Sequence, residues 1–523
     1  MVQVRFDIMT GLERSVSIRP GSNHALKRYI TPFLCLTLGL ALFLGVTACS
    51  RKTTLTPDSG TVTQSGRPEQ TVATTLSGTP AVKKSTVTPL PAIPATPNQH
   101  TPSPLGVTAA ELRGLTVALW HPWTGAAGAS FQAILDEFNR TNTWGITARA
   151  TGYEGFGSLD DAVASAVASG TLPDVLVDYG YQARQWDASG VLADLTPYVN
   201  DTVWGMTSDD QADFMPGFWA EDLVTTGSKP KSRRLGIPYY RSAYVLFYNL
   251  SWARELGFNH APTTPEDFRL QACAAADFYA RQGDKSNLGK GGWLVTPETG
   301  VLTGWIYAFG GEITNPGGTG YLFNSPETGQ AFTYLKGLQA GGCAWLDPSL
   351  DPQAEFTSRH ALFIVGSLYD IPSQQTIFSQ AGSSDQWMVI PFPSKTQPVV
   401  DAYGPSLLVT NSTPARQLAA WLVIEWLVYP PNQAKFVSEL EVYPTRQSTL
   451  YYLVTEISPQ WAQAVGLMGD ARSEPTLASW SMVRWALSDA SSQLFSLKFT
   501  ADQISVLLTN LDNIAGEIMS QVH

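Results

Sequence analysis

Cysteine, histidine and charge are all scarce in this chain. Its 523 residues include 4 cysteines and 6 histidines, with no His-Glu-x-x-His or Cys-x-x-Cys spacing, so a zinc site has no ligand pattern and no metal is expected. Only 15% of residues are charged and the formal net charge is −11. Phosphate binding needs a basic face, so nucleic acid is excluded as a general partner. No Gly-x-Ser-x-Gly elbow occurs. The segment from Gly283 to Gly291 resembles a phosphate loop only superficially: its spacing is wrong and no Ser or Thr follows Lys290. No cofactor is implied. The apolar run from Phe33 to Gly45, interrupted only by Thr37, is shorter than the roughly 20 residues a transmembrane helix needs.

That run follows Lys27 and Arg28, and this order reads as the basic and apolar regions of a secretory signal. Val46-Thr47-Ala48-Cys49 closes it. The tetrapeptide resembles a bacterial lipobox, which predicts a signal over residues 1–48 and lipidation at Cys49; a plain secretory signal with a chance cysteine is the alternative. Met1 to Asn23 form an atypical extension before the basic region. Residues 49–110 are dominated by Thr, Ser, Pro and Gly. Such a segment buries too little apolar surface to offset its ordering entropy and is predicted to be a disordered tether. A flexible coil of this length spans on the order of 45 Å.

The folded part is expected from about residue 111. Leu115 to Trp120 is a strand candidate, broken by His121-Pro122-Trp123. Phe131, Ile134, Leu135 and Phe138 then recur at helical spacing. Ile146, Ala148 and Ala150 alternate as a strand, Leu159, Val163 and Ala166 mark a helix, and Asp174 to Asp178 reads as a strand buried on both faces. This β-α-β-α-β order predicts a parallel sheet covered by helices, whose ligands gather at the carboxyl ends of its strands. Trp120, Trp123, Asp178 and Tyr179 lie at such ends.

Leu235 to Asn249 organises the rest. Gly236 to Pro238 leads into Tyr239, Tyr240 and Arg241, then into the strand-like Tyr244-Val245-Leu246-Phe247-Tyr248. It reads as the crossover between two α/β lobes, with its polar aromatics facing the cleft. Beyond it, Thr264-Pro265-Glu266-Asp267 and Ser325-Pro326-Glu327 are helix starts. Gly304 to Gly311 reads as an aromatic, glycine-rich loop carrying Trp305. Arg359 to Tyr369 reads as a strand delivering Ser367 and Tyr369. The chain is expected to return to the first lobe at Val389 to Pro393, before Tyr403 and the strand Leu407 to Val409. Trp421 and Trp426 lie on an apolar helix and are expected in the core.

Taken in this order, Gly170 to Val175, Val191 to Pro197, the crossover, Pro262 to Phe268 and Val442 to Arg446 resemble the extracellular solute-binding proteins of ABC importers, particularly their carbohydrate-binding branch. The resemblance runs from Leu115 to about Leu450. It implies an α/β, two-lobe periplasmic-binding fold, each lobe a mainly parallel sheet flanked by helices, closing on a solute without catalysis. Residues 111–240 with 395–446 would form lobe 1, and 241–394 with 447–523 lobe 2 and the C-terminal helices. The implied ligand residues are Trp120, Trp123, Asp178, Tyr179, Tyr240, Arg241, Trp305, Ser367, Tyr369 and Tyr403. Their aromatic faces and polar groups suit a sugar. His121 is expected to orient its loop. The implied protein is a monomer, held to the membrane by lipid alone and served by ABC permease subunits. Two other classes stay open. One is a carbohydrate-active enzyme, which would need paired carboxylates, with Asp178 and Asp401 as candidates. The other is a sensing or binding module of the same fold. Cys273 and Cys343 remain after the leader, and an exported compartment favours pairing them, against two buried thiols.

Overall fold

The computed structural model describes residues 103–226, 231–282, 290–347, 351–453 and 457–522. The leader, Cys49 and the tether up to residue 102 lie outside the described residues.

The strands begin with β1 (Thr116–His121), β2 (Thr147–Gly152) and β3 (Val175–Tyr179). A separate ribbon, β4 (Leu223–Thr226) and β5 (Lys231–Arg234), precedes the short β6 (Gly236–Pro238) and the ten-residue β7 (Tyr240–Asn249). Next come β8 (Trp293–Val295), β9 (Ala344–Leu346), β10 (Phe363–Ser367) and β11 (Trp387–Ile390). A second adjacent pair follows, β12 (Val400–Tyr403) and β13 (Pro405–Val409), and then β14 (Tyr443–Pro444) and β15 (Ala471–Ser473).

Two sheets result, one per lobe. The first has the order β2-β1-β3-β13-β6, with β1 parallel to β2 and β3, and β13 antiparallel to both its neighbours. The second has the order β15-β12-β7-β10-β8-β9, and β7 also pairs with β11 and β14. Helices cover the sheets where their apolar stripes require it. Phe131, Ile134, Leu135 and Phe138 are all buried on the Gly125–Thr141 helix. The Thr264 side chain accepts the Asp267 N–H at the start of the Pro265–Arg281 helix, and Ser325 accepts that of Thr328 before the Pro326–Ala340 helix. Trp421 is fully buried and donates from its indole N–H to the Trp204 carbonyl at 2.7 Å, and half-buried Trp426 donates to that of Ile134 at 3.0 Å. The Cys273 and Cys343 sulfurs are bonded, with Cα atoms 4.4 Å apart.

The chain passes between the sheets on neighbouring strands. β6 belongs to the first sheet and β7, one residue later, to the second; β12 and β13 make the same step in reverse through Gly404. The crossings touch: the Tyr239 N–H donates to the Pro405 carbonyl at 3.1 Å. A Cβ on Gly404 would collide with the Tyr240 carbonyl, so the two backbones can approach this closely only there. All ten residues of β7 are buried. Ala243, Val245 and Phe247 face one core, and Leu246 and Tyr248 the other. Burial on both faces explains the unbroken apolar run.

Three expectations change. The return at Val389 to Pro393 is not there: β11 lies antiparallel to Leu246–Asn249 and stays in the second sheet. The assignment of residues 395–446 to lobe 1 changes with it, because β12 pairs with β7 and β15, and the chain re-enters the first sheet only at β13. A short apolar strand reads the same in either sheet, and only its partner places it. The loop carrying Trp305 is also absent. Thr299–Ala308 is a helix whose residues are all buried. Its glycines serve close ring contact rather than a turn, since a Cβ on Gly300 would strike the Tyr244 ring and one on Gly304 the Phe392 ring.

Arg241 ties the crossing together. It is fully buried, and its Nη1 donates to the carbonyls of Tyr240 (2.8 Å) and Pro405 (2.9 Å), one on each crossing strand. Its Nη2 reaches Ser406 Oγ at 3.3 Å and pairs with Glu221 at 2.9 Å. Removing one partner of a buried pair leaves the other charge uncompensated. Arg241→Leu is expected to cost about 3–5 kcal/mol of stability, read as an earlier denaturant midpoint; an unchanged midpoint would show that the crossing holds without the pair.

Candidate functional site

The carboxyl end of β3 meets the crossing strands and the second sheet, and tyrosines converge there. Tyr179 ends β3 and caps the Gly180–Ala188 helix, with its ring 6.4 Å from that of Tyr403 at the end of β12. Tyr403 stacks on Tyr244 at 4.8 Å and lies 6.4 Å from Tyr369, which stands edge-on to Tyr240 at 6.0 Å. Period-two geometry puts Tyr240, Ser242 and Tyr244 on one face of β7. The Tyr403 hydroxyl donates to Ser367 Oγ at 2.8 Å, and Ser367 Oγ also meets Ser242 Oγ at 2.9 Å and accepts the Tyr369 N–H at 3.2 Å. Tyr179, Tyr369 and Tyr403 are half-buried and line what space remains.

The C-terminal part of the chain closes this wall. Arg484, on the Trp480–Leu494 helix, donates to the Tyr181 hydroxyl at 2.9 Å and lies 3.6 Å from Glu474. Tyr181 stacks on Tyr179 at 5.3 Å, so this contact spans from the second lobe to the helix after β3. Arg184 donates to Thr476 at 3.3 Å in the same direction. Glu474 is buried, takes the Trp480 indole N–H at 3.0 Å, and has a second oxygen without a hydrogen bond.

Buried carboxyls lie beneath the tyrosines. Asp178 is fully buried and accepts the Tyr179 N–H and the Trp186 indole N–H, both at 2.8 Å. Burial, and then the nearby Asp160, push its carboxyl well above the usual range. Burial also raises Asp160, to about 6. Asp401 is fully buried against Thr303 and is raised by burial and then by Glu474. His121 is buried, which lowers it to about 4, so its neutral ring accepts the Trp123 N–H through Nδ1 at 3.2 Å. It orders its loop and does not titrate near neutrality.

The predicted residues therefore separate. Tyr179, Ser367, Tyr369 and Tyr403 come together, with Tyr240 directly behind them. Asp178 lies under the floor rather than on it. Trp120 stands to one side, half-buried against Tyr153 at 5.3 Å. Trp123 packs into the first lobe against Phe131 and Phe436, and its indole N–H donates to the Tyr240 hydroxyl at 3.3 Å. Trp305 is enclosed by Phe268, Trp293 and Tyr334 and does not reach the cleft. Arg241 spends its donors on the crossing. Tyr244, Tyr181, Glu474 and Arg484 join this wall and are not among the predicted contacts. The alternation along β7 was a usable signal for Tyr244; nothing local marks Arg484. A groove of about 1090 Å³ also opens on the second lobe between Phe309, Tyr334, Lys395 and Leu508, and none of the predicted residues lines it.

The model of the family described as bacterial extracellular solute-binding protein matches residues 133–469. The chain belongs to that family. Solved structures agree on the two-lobe fold. The sugar-binding protein MalE from Xanthomonas citri is 19% identical with a TM-score of 0.65, over 78% of this chain and 98% of that one. The cyclic alpha-maltosyl-1,6-maltose binding protein from Arthrobacter globiformis is 18% identical with a TM-score of 0.64, over 78% and 99%. UgpB from Mycobacterium tuberculosis, solved with glycerophosphocholine, is 16% identical with a TM-score of 0.60, over 78% and 99%. No curated protein matches the sequence. Members of this family are binding proteins, and the tyrosine wall of the present chain lies where its two lobes meet.

The Asp160–Asp178 pair gives the floor a pH signature. An unfolded carboxyl ionises near its ordinary value, whereas folded Asp160 holds its proton to about 6. The folded state thus binds the extra proton, and stability falls as pH rises across that window. Asp160→Asn should flatten this slope in urea midpoints taken between pH 4 and about 6; equal slopes in both proteins would remove the pair from the account.

Proposed function

We propose that this protein is a lipid-anchored extracellular receptor that captures a sugar or oligosaccharide between its lobes and delivers it to an ABC importer. One observation carries the reading: half-buried tyrosines from β3, β12 and the helical turn after β10 meet at the junction where the chain crosses between the two sheets. Tyrosine faces pack against the C–H face of a sugar ring, while Ser367, Glu474 and Arg484 offer partners to hydroxyls. Tyr179, Tyr369 and Tyr403 would make the first contacts, Tyr240 and Ser367 would hold them in place, and Trp120 would stand at the edge. The Xanthomonas citri protein is described as sugar-binding and the Arthrobacter one binds cyclic alpha-maltosyl-1,6-maltose, which supports this class. The buried state of Asp178 and Asp401 disfavours an acid/base pair, so the solute is bound and released unchanged.

A thermal-shift panel of sugars, polyols, phosphodiesters and short peptides tests the receptor. A ligand at 100 times its Kd should add about 2.7 kcal/mol. A saturable shift from one sugar class, with the ligand recovered intact, is the expected result. Shifts confined to another class would keep the fold and discard the sugar, and conversion of the ligand would restore the enzyme alternative.

The anchor rests on the lipobox-like Val46-Thr47-Ala48-Cys49. In cells fed labelled palmitate, Cys49→Ala should lose the label and leave the membrane fraction. Labelling that persists in the variant would place the anchor elsewhere or remove it.

A further inference from the structure

The tyrosine wall carries two carboxylates for which the described ion pairs provide no basic partner. Asp370 follows Tyr369 directly, and its carboxylate accepts the Ser367 N–H at 2.7 Å. Glu298 is exposed at the start of the Thr299–Ala308 helix, two residues before the glycine that lies against the Tyr244 ring. Thr299 donates to the Arg484 carbonyl at 3.0 Å, which brings that helix end to the same wall. Neither Asp370 nor Glu298 is in an ion pair among the described residues. Arg484 is the basic group that reaches this wall, and it is already engaged by Tyr181 and Glu474.

We propose that the cleft selects a ligand bearing an ammonium group, as on an amino sugar, over a fully neutral saccharide. The inference rests on the receptor reading above and names the ligand's charge. Tyr403 spends its hydroxyl on Ser367 and one ring face on Tyr244, so its other face is what it presents to a ligand, and the face of an aromatic ring attracts a cation. The two carboxylates add a charge deficit. Burial raises Asp370 above the usual range. A neutral sugar would satisfy the lone pairs of both carboxylates and leave the charge uncompensated, whereas an ammonium group answers the rings and the carboxylates together.

The shared chemistry is the ammonium group, which could arrive on a sugar or on a choline-type headgroup. Calorimetric titration of the purified full chain with glucosamine trisaccharide, its N-acetylated counterpart, a neutral glucose trisaccharide and choline separates these. The glucosamine trisaccharide should bind at least tenfold tighter than either neutral trisaccharide. Glu298→Gln should remove most of that preference, and a preference kept in full by this variant overturns the role given to the carboxylates. Tyr403→Phe, which keeps the ring face, should retain the preference, and Tyr403→Leu should lose it. Equal or tighter binding of the neutral trisaccharides overturns the ammonium inference and leaves the sugar receptor standing. Binding of choline with silence from all three saccharides keeps the inference and removes the sugar. Silence from all four overturns the inference, and the panel described above then decides the receptor reading by itself.

Discussion

Arg241 is the constraint on which the architecture depends. A fully buried guanidinium is tolerated only where its donors are matched, and here they are matched by carbonyls from the two strands that carry the chain between sheets, together with Ser406 and Glu221. The pairing fixes β7 against β13 at the point where each sheet begins. Everything that faces the cleft is measured from that point. Tyr240 precedes Arg241, Tyr403 sits two residues before Pro405, and Ser242 reaches Ser367 from the next inward position of β7. A charge that would ordinarily be kept at a surface instead sets the spacing between lobes.

The site grows out of this junction in layers. The rings are half-buried and polar at their tips, with Ser367 collecting the hydroxyl of Tyr403 and the backbone of Tyr369. Beneath them lie the carboxyls of Asp178 and Asp160, both raised by burial, with Asp178 taking the indole N–H of Trp186 from the helix that follows β3. Across the gap, the Trp480–Leu494 helix supplies Arg484. That helix lies beyond residue 469, where the family match ends.

Much of this was legible in the sequence, and the failures have physical causes. The face of the Gly125–Thr141 helix followed from spacing, the Thr264 and Ser325 caps from their side-chain chemistry, and β7 from an apolar run too short for a helix. Trp305 misled because glycine beside aromatic residues reads as a loop, whereas Gly300 and Gly304 are small so that Tyr244 and Phe392 can press on a helix. The return to the first sheet was placed too early because β11 and β13 are alike locally and differ only in partner. Arg241 looked like a ligand group because its real acceptors are backbone carbonyls, one of them 164 positions away. Arg484 carried no local signal at all: its role exists only once two distant helices meet.

The interleaved crossings also bear on how the chain acquires its shape. β3 has one neighbour in β1 and waits for the other until Val409 has been made, with most of the second sheet intervening. β6, the opposite edge, has β13 as its sole partner in that sheet. A nascent chain that ends before β13 therefore presents an apolar strand with one side unpaired, the kind of edge that recruits other chains. Closing so long a loop is slow compared with forming local helices. The first half of the protein is thus a late folder despite being made early, and it stays an open template until the final strand slides between β3 and β6.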